Sequence, residues 1–155
     1  MCGIAGFIDG RHGGSAQRLE QMARAMNETL RHRGPDDGGV WTDSETGVAL
    51  ANRRLAVRDL SQAGHQPMVS DDGRLVLTYN GEIYDTGDLR ASLEAKGQRF
   101  RGGSDTEVLL HACAEWGVAE AVERCNGMFA FALWDRIERR LTLARDRMGI
   151  KPLYW

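Results

Sequence analysis

The sequence predicts an α+β domain built on antiparallel sheets, and two observations carry that reading. Strand-like segments outnumber helical ones, and most of them are joined as hairpins through polar turns rather than by long crossovers. At 155 residues the chain fits one domain, with no repeat, low-complexity tract or internal linker dividing it. A domain of this size hides roughly 70% of its unfolded surface, enough for a real core.

Taken in order, Gly3 to Asp9 is a short apolar strand. From Ala16 to Arg31, Leu19, Met22, Ala23, Met26 and Leu30 recur at the spacing of one helical face, which assigns the two methionines to the core. Gly39 to Thr42 and Val48 to Val57 are strand-like and separated by Asp, Ser and Gly. Leu75 to Tyr79 is a further strand. Asn80-Gly81 follows, and Asn-Gly between apolar runs is a strong hairpin signal, so a tight turn is expected before Glu82-Ile83-Tyr84. Asp88 to Lys96 is a short helix closed by Gly97. Ser104 and Glu107 form a capping box that opens a helix running to Glu115, with Gly117 ending it. Val118 to Arg124 is helical, and the strands Met128 to Trp134 and Arg140 to Ala144 follow as a hairpin.

Composition removes several classes of function. The formal net charge of −2 lacks the basic footprint of a nucleic-acid binder. No apolar run approaches the roughly 18 residues of a membrane helix. Nothing at the N-terminus resembles a secretory signal, so a cytoplasmic location is expected. Cys2, Cys113 and Cys125 are an odd set without metal-ligand spacing, so reduced thiols and no metal site are expected. Glycines beside charged residues, as in Arg33-Gly34-Pro35-Asp36 and Arg101-Gly102-Gly103-Ser104-Asp105, suggest backbone turning sharply or approaching a ligand. The apolar end Leu153-Tyr154-Trp155 suggests a fragment of a longer protein.

Position 2 has two readings: a small residue that merely permits removal of Met1, which position alone favours, or a catalytic cysteine. Initiator methionine is normally removed before a small residue, which would put a thiol and a free α-amine on Cys2. The ordinary thiol pKa is about 8.5 and that of an α-amine about 7.7–8.0, so the amine suits general-base work near neutral pH. A nucleophile activated by its own terminal amine is an established solution. His12, His32, His65 and His111 stand in unrelated contexts and form no persuasive alternative base.

Met1-Cys2-Gly3-Ile4-Ala5-Gly6 resembles the opening of class II glutamine amidotransferases, which are N-terminal-nucleophile hydrolases. The blocks Arg31-His32-Arg33-Gly34-Pro35-Asp36, Arg54-Leu55-Ala56-Val57, Asn80-Gly81-Glu82-Ile83-Tyr84 and Gly103-Ser104-Asp105-Thr106-Glu107 resemble the same family in the same order. Gly127 to Ala132 and Ala144 to Tyr154 resemble its asparagine synthase branch, so the likeness covers essentially the whole chain. It implies a four-layer α-β-β-α sandwich of two antiparallel sheets. It also implies hydrolysis of L-glutamine to glutamate through a thioester on Cys2, with the ammonia passed on for ATP-dependent amidation of aspartate.

The resemblance places Asn80 and Gly81 in the oxyanion hole, where each fixed donor is worth roughly 3 kcal/mol. Arg54 would hold the substrate α-carboxylate by a planar fork, with the Leu55 to Val57 backbone against the same substrate. Glu82 and Asp105 would meet the α-ammonium. Without the ordered blocks, Arg54 reads as a solubility residue, Asp105 as an acid meeting a helix dipole and Glu82 as an exposed strand residue. Asp36 and Asp37 read as loop residues, and Cys113 and Cys125 as structural thiols. Ala56, Arg58 and Asp85 depart from the wording usual in the family, and Arg58 adds charge near the expected glutamine site.

No cofactor is expected in residues 1–155. ATP and magnesium belong to a C-terminal synthetase domain of the same polypeptide, expected beyond this chain, with homodimerisation left open. Two alternatives stand beside this reading: the same glutaminase feeding another acceptor, and a non-catalytic glutamine-binding module. Cys2, Asn80 and Gly81 together argue against the second, because a binding module needs no nucleophile.

Overall fold

In the computed structural model, which describes residues 1–10 and 15–155, two antiparallel sheets lie face to face between helical layers. The first sheet holds β1 (Gly3–Ile8), β2 (Asp37–Asp43) and β3 (Val48–Arg54) in the order β1-β3-β2. The second holds β4 (Met68–Val69), β5 (Leu75–Ile83), β6 (Gly127–Asp135) and β7 (Arg140–Arg145) in sequence order. Helix α1 (Ala16–Thr29) covers the outer face of the first sheet, while α2 (Thr86–Glu94), α3 (Asp105–Trp116) and α4 (Val118–Arg124) lie outside the second. This is the expected α-β-β-α sandwich.

The central strands are apolar on both faces because both faces are covered. Val48, Leu50, Val76, Ala132 and Trp134 pack between the sheets. Leu77, Tyr79, Phe129 and Phe131 pack outward against Val108, Leu109 and Ala112 of α3. Each fully buried large side chain contributes roughly 1.5–3 kcal/mol.

A polar clamp fixes one sheet against the other. Asn52 of β3 donates from Nδ2 to Gln66 Oε1 at 3.1 Å, to Thr78 Oγ1 at 3.2 Å and to the Tyr79 carbonyl at 3.2 Å. Thr78 Oγ1 donates back to the Ala51 carbonyl at 3.0 Å. Asn52 lies opposite Ile4 in the β1–β3 ladder. The clamp therefore ties the start of β1, immediately after Cys2, to the stretch of β5 immediately before Asn80.

The structure corrects several expectations. Asn80-Gly81 is no turn: β5 runs straight through it, and the following strand is the same strand. A two-residue Asn-Gly hairpin needs positive φ, and among the described residues the glycines that adopt it are Gly47, Gly73, Gly97, Gly117 and Gly149. Strand β3 stops at Arg54 instead of reaching Val57. Met22 and Met26 are exposed, because Leu19, Ala23 and the polar Asn27 form the buried stripe of α1, with Asn27 Nδ2 donating to the Gly39 carbonyl at 3.3 Å. The capping box is half formed. Ser104 accepts from the Glu107 N–H at 3.2 Å, but the Glu107 carboxylate accepts from the N–H groups of Arg101 at 2.8 Å and Gly102 at 2.9 Å. Asp37 opens β2 and contacts His65 Nδ1 at 2.7 Å, so it is more than a loop acid.

Candidate active site

All eight residues singled out in the sequence line one cleft of about 200 Å³, between the ends of β1 and β3, the middle of β5 and the start of α3. That is smaller than the roughly 300–1,000 Å³ of drug-sized sites and suits a small ligand. These eight residues come from four separate stretches of chain.

Cys2 stands at the head of β1, half-buried, with Sγ 3.9 Å from the Leu55 carbonyl. With Met1 attached its nitrogen is an amide. The other two thiols are elsewhere: Cys113 and Cys125 belong to the core around α3, and burial pushes each up to about 12.

Asn80 is buried, and its carboxamide has no hydrogen-bond partner among the described residues. Beside it, on the edge of β5 that faces away from β6, the N–H groups of alternate residues point toward the cleft. Two of them are taken: the Tyr79 N–H donates to Gln66 Oε1 at 2.7 Å and the Ile83 N–H to Asp105 Oδ2 at 3.1 Å. The Gly81 N–H lies between these two and meets no acceptor among the described residues.

The acids and arginines are held by their neighbours. Asp105 Oδ2 also accepts from the Tyr79 hydroxyl at 2.6 Å, which leaves Oδ1 without a bond among the described residues. Burial, and then the Asp105 carboxylate, drive the Tyr79 hydroxyl far above its ordinary pKa, so it stays a donor. Arg54 is buried and donates through Nη1 to the Ser61 carbonyl at 3.0 Å and through Nη2 to the Asp59 carbonyl. Two of the five guanidinium N–H groups are thereby used to fold the 55–61 loop back over the cleft. A Cβ at Gly64 would overlap the Arg54 guanidinium, so a larger residue there would force that side chain to shift. Glu82 forms an ion pair with Arg58, Oε1 to Nε at 2.5 Å, so the residue that departs from the family wording occupies a carboxylate assigned to substrate.

Some residues of the cleft carried no assigned role. Gln66 is buried and bonds Tyr79, Asn52 and Thr106; nothing in its local sequence marks it out. Asp59 accepts from the N–H groups of Ser61 and Gly103, both at 2.8 Å, joining the Arg54 loop to the loop before α3. Asp36 accepts from the Ala56 N–H at 2.9 Å and so braces the same loop. Lys151 lines the cleft from the segment after β7. The histidines do not: His32, His65 and His111 are bonded elsewhere, and His12 lies outside the described residues. Among the described residues no group of three or more His, Cys, Asp and Glu side chains is placed to hold a metal ion. No described helix is long and apolar enough to cross a membrane.

Two facing antiparallel sheets, with a cysteine at the head of the first strand, make the fold of an N-terminal-nucleophile hydrolase. A solved structure with the same fold is the glutamine phosphoribosylpyrophosphate amidotransferase from B. subtilis complexed with ADP and GMP. It matches at a TM-score of 0.73 and 23% identity, over 96% of this chain and 38% of that one. The chain belongs to the glutamine amidotransferase domain family, whose model matches residues 1–155. Among curated relatives, asparagine synthetase [glutamine-hydrolyzing] 3 of Bacillus subtilis is 45% identical across 100% of this chain and 25% of its own length. Asparagine synthetase [glutamine-hydrolyzing] 1 of the same organism is 39% identical across 100% of this chain and 24% of its own. The chain thus spans about a quarter of the length of these relatives.

Proposed function

We propose that this domain hydrolyses L-glutamine to glutamate and ammonia with Cys2 as nucleophile. The observation that supports it best is the pairing of two unsatisfied donors, the Gly81 N–H and the Asn80 carboxamide, in the cleft that holds the Cys2 thiol. Donors that line a cleft without a protein acceptor are free to bind a ligand or its developing charge.

In the proposed reaction Met1 is absent and the Cys2 α-amine takes the thiol proton. Sγ attacks the side-chain carbonyl carbon of glutamine, and the carbonyl electrons move onto oxygen. The resulting oxyanion accepts hydrogen bonds from Gly81 and Asn80, which act most strongly when that charge has formed. The protonated amine returns its proton to the leaving nitrogen, and ammonia departs from a γ-glutamyl thioester. A water, deprotonated by the same amine, hydrolyses the thioester to glutamate and the free thiol. Arg54, with three N–H groups still uncommitted, takes the α-carboxylate. Oδ1 of Asp105 takes the α-ammonium, joined by Glu82 as it shares or leaves Arg58, and the Leu55 to Val57 backbone closes over the substrate.

The relatives' names support a wider proposal for the parent polypeptide: the ammonia goes to a C-terminal synthetase domain that uses ATP and magnesium to amidate aspartate. The domain-level proposal is tested by glutamate release from two preparations separated by intact mass, one with Met1 and one without. The processed form should turn over and the Met1-bearing form should not. Substantial turnover by the latter would mean that another group is the base.

A further inference from the structure

The cleft contains a cation to which neither the motifs nor the proposed reaction gives a role. Lys151 is 4% exposed, and its side chain reaches the lining from the segment after β7. Among the described residues Nζ meets no carboxylate and no carbonyl; its one contact is Met1 Sδ, at 2.8 Å. A buried ammonium without a counter-charge is strongly unfavourable, so a position that keeps one needs a reason. Its backbone is held in place. Asp146 accepts from the Lys151 N–H at 2.9 Å, the Ile150 N–H at 2.8 Å and the Phe129 N–H at 3.2 Å, which pins the segment to β6 behind Gly81.

Met1 is bonded directly to Cys2, and Met1, Cys2 and Lys151 line the same cleft, which puts the Lys151 ammonium on the side of the cleft where a Cys2 α-amine would be. We propose that Lys151 is a positioning residue for the nucleophile: in the chain without Met1 its charge stands beside the Cys2 α-amine and disfavours protonation of that amine. The inference rests on the α-amine being the base. An ordinary α-amine, with a pKa of about 7.7–8.0, is mostly protonated at neutral pH and so mostly unable to accept the thiol proton. A neighbouring cation corrects this, because like charges disfavour the charged form.

The other charged groups of the cleft leave room for that effect. Glu82 is paired with Arg58, Asp59 and Asp105 each accept from N–H donors, and Arg54 adds a second cation. Asp146 opposes the effect only from behind, with its oxygens engaged by backbone N–H groups.

The test uses the chain with Met1 removed, comparing Lys151→Met, which keeps length and loses charge, with Lys151→Arg. Glutamate release is followed across the neutral pH range. Lys151→Met should move the acid limb of kcat/KM upward by about one pH unit, roughly a tenfold loss below the limb, while the alkaline plateau is retained. Lys151→Arg should restore the limb. Because the lone buried charge is gone, Lys151→Met should also melt no lower than the parent, whereas a merely structural lysine would leave the limb in place and lower the melting temperature. An unmoved limb overturns the inference.

Should Lys151→Met not fold, the unsubstituted processed chain still decides. Its Cys2 α-amine, titrated by NMR, should deprotonate at lower pH than the same amine in a short peptide beginning Cys-Gly-Ile-Ala; an equal or higher value overturns the inference. Turnover by the Met1-bearing form is a separate result, and it removes the base assignment itself.

Discussion

Gly81 lies directly opposite Phe129 in the β5–β6 ladder, and the two share no ladder hydrogen bond. Both polar groups of Phe129 turn the other way: its carbonyl accepts from the Asp146 N–H at 2.7 Å and its N–H donates to Asp146 Oδ2. In an antiparallel pair such a residue faces a partner whose own N–H also points outward. The Gly81 donor is therefore left open by the register of the sheet, and Asp146 helps to set that register.

Substitution at this pair should separate chemistry from packing. A Cβ on Gly81 would stand 2.6 Å from the Met128 carbonyl oxygen and 2.6 Å from Phe129 Cβ. Gly81→Ala should therefore cost roughly 1–3 kcal/mol of stability and also displace the donor, lowering kcat on the order of 100-fold. Asn80→Ala should lower kcat by a similar factor with little change in melting temperature, since its carboxamide bonds nothing else in the described structure. Thermal melts and steady-state kinetics on both variants check this; full kcat in either would remove that residue from the oxyanion site.

Labelling should discriminate among the three thiols. A glutamine-analogue diazoketone should modify Cys2 once per chain and leave Cys113 and Cys125 untouched, because burial pushes those two up to about 12 and little thiolate exists at neutral pH. Peptide mass mapping reads the outcome. Modification of Cys113 or Cys125, or labelling that persists in Cys2→Ala, contradicts the assignment.

Arg54→Ala should act mainly on KM, because the substrate α-carboxylate is held equally in ground and transition states. An increase on the order of 10- to 100-fold matches the loss of a charged hydrogen-bonded contact. Arg54→Lys should not restore it. One ammonium cannot serve the Ser61 and Asp59 carbonyls and a carboxylate with the geometry of the guanidinium fork. A lowered kcat at unchanged KM would place Arg54 in the chemistry instead.

Acid should loosen the substrate loop through Asp59. Hydrogen bonds from Ser61, and then from the Gly103 N–H, hold its carboxyl below the ordinary value of 3.8. A depressed folded-state value means that its contribution to stability is fully present above that ordinary value and is lost as pH falls through the lower folded one. Asp59→Asn should lower stability at neutral pH and show a weaker loss on acidification than the parent. Parallel acid-denaturation curves for the two proteins would show that Asp59 is not a linked group.

Most elements of the domain were legible in the sequence because they follow from local periodicity, while the layering of the sheets came from the family resemblance. Helices α3 and α4 and the β6–β7 hairpin match the expected spans to within a residue or two. The misreadings arose where tertiary contacts outweighed local preference. Asn80-Gly81 has turn chemistry, yet pairing along β6 keeps it in a strand. Met22 and Met26 fit an apolar stripe, yet Asn27 takes the buried position because the Gly39 carbonyl needs a donor.

The sequence by itself singled out eight residues that the structure gathers in one cleft, but not Asp59, Gln66 or Lys151, which line it too. Only the tertiary structure decided how each is occupied. It alone shows the Gly81 donor open between two that are capped, Arg54 already bound to two carbonyls, Glu82 taken by Arg58, and Lys151 buried beside Met1. The reason is physical. Residue identity states which donors and charges exist, but whether a donor is satisfied depends on strand register and on contacts between residues far apart in the chain, and no local pattern encodes those contacts.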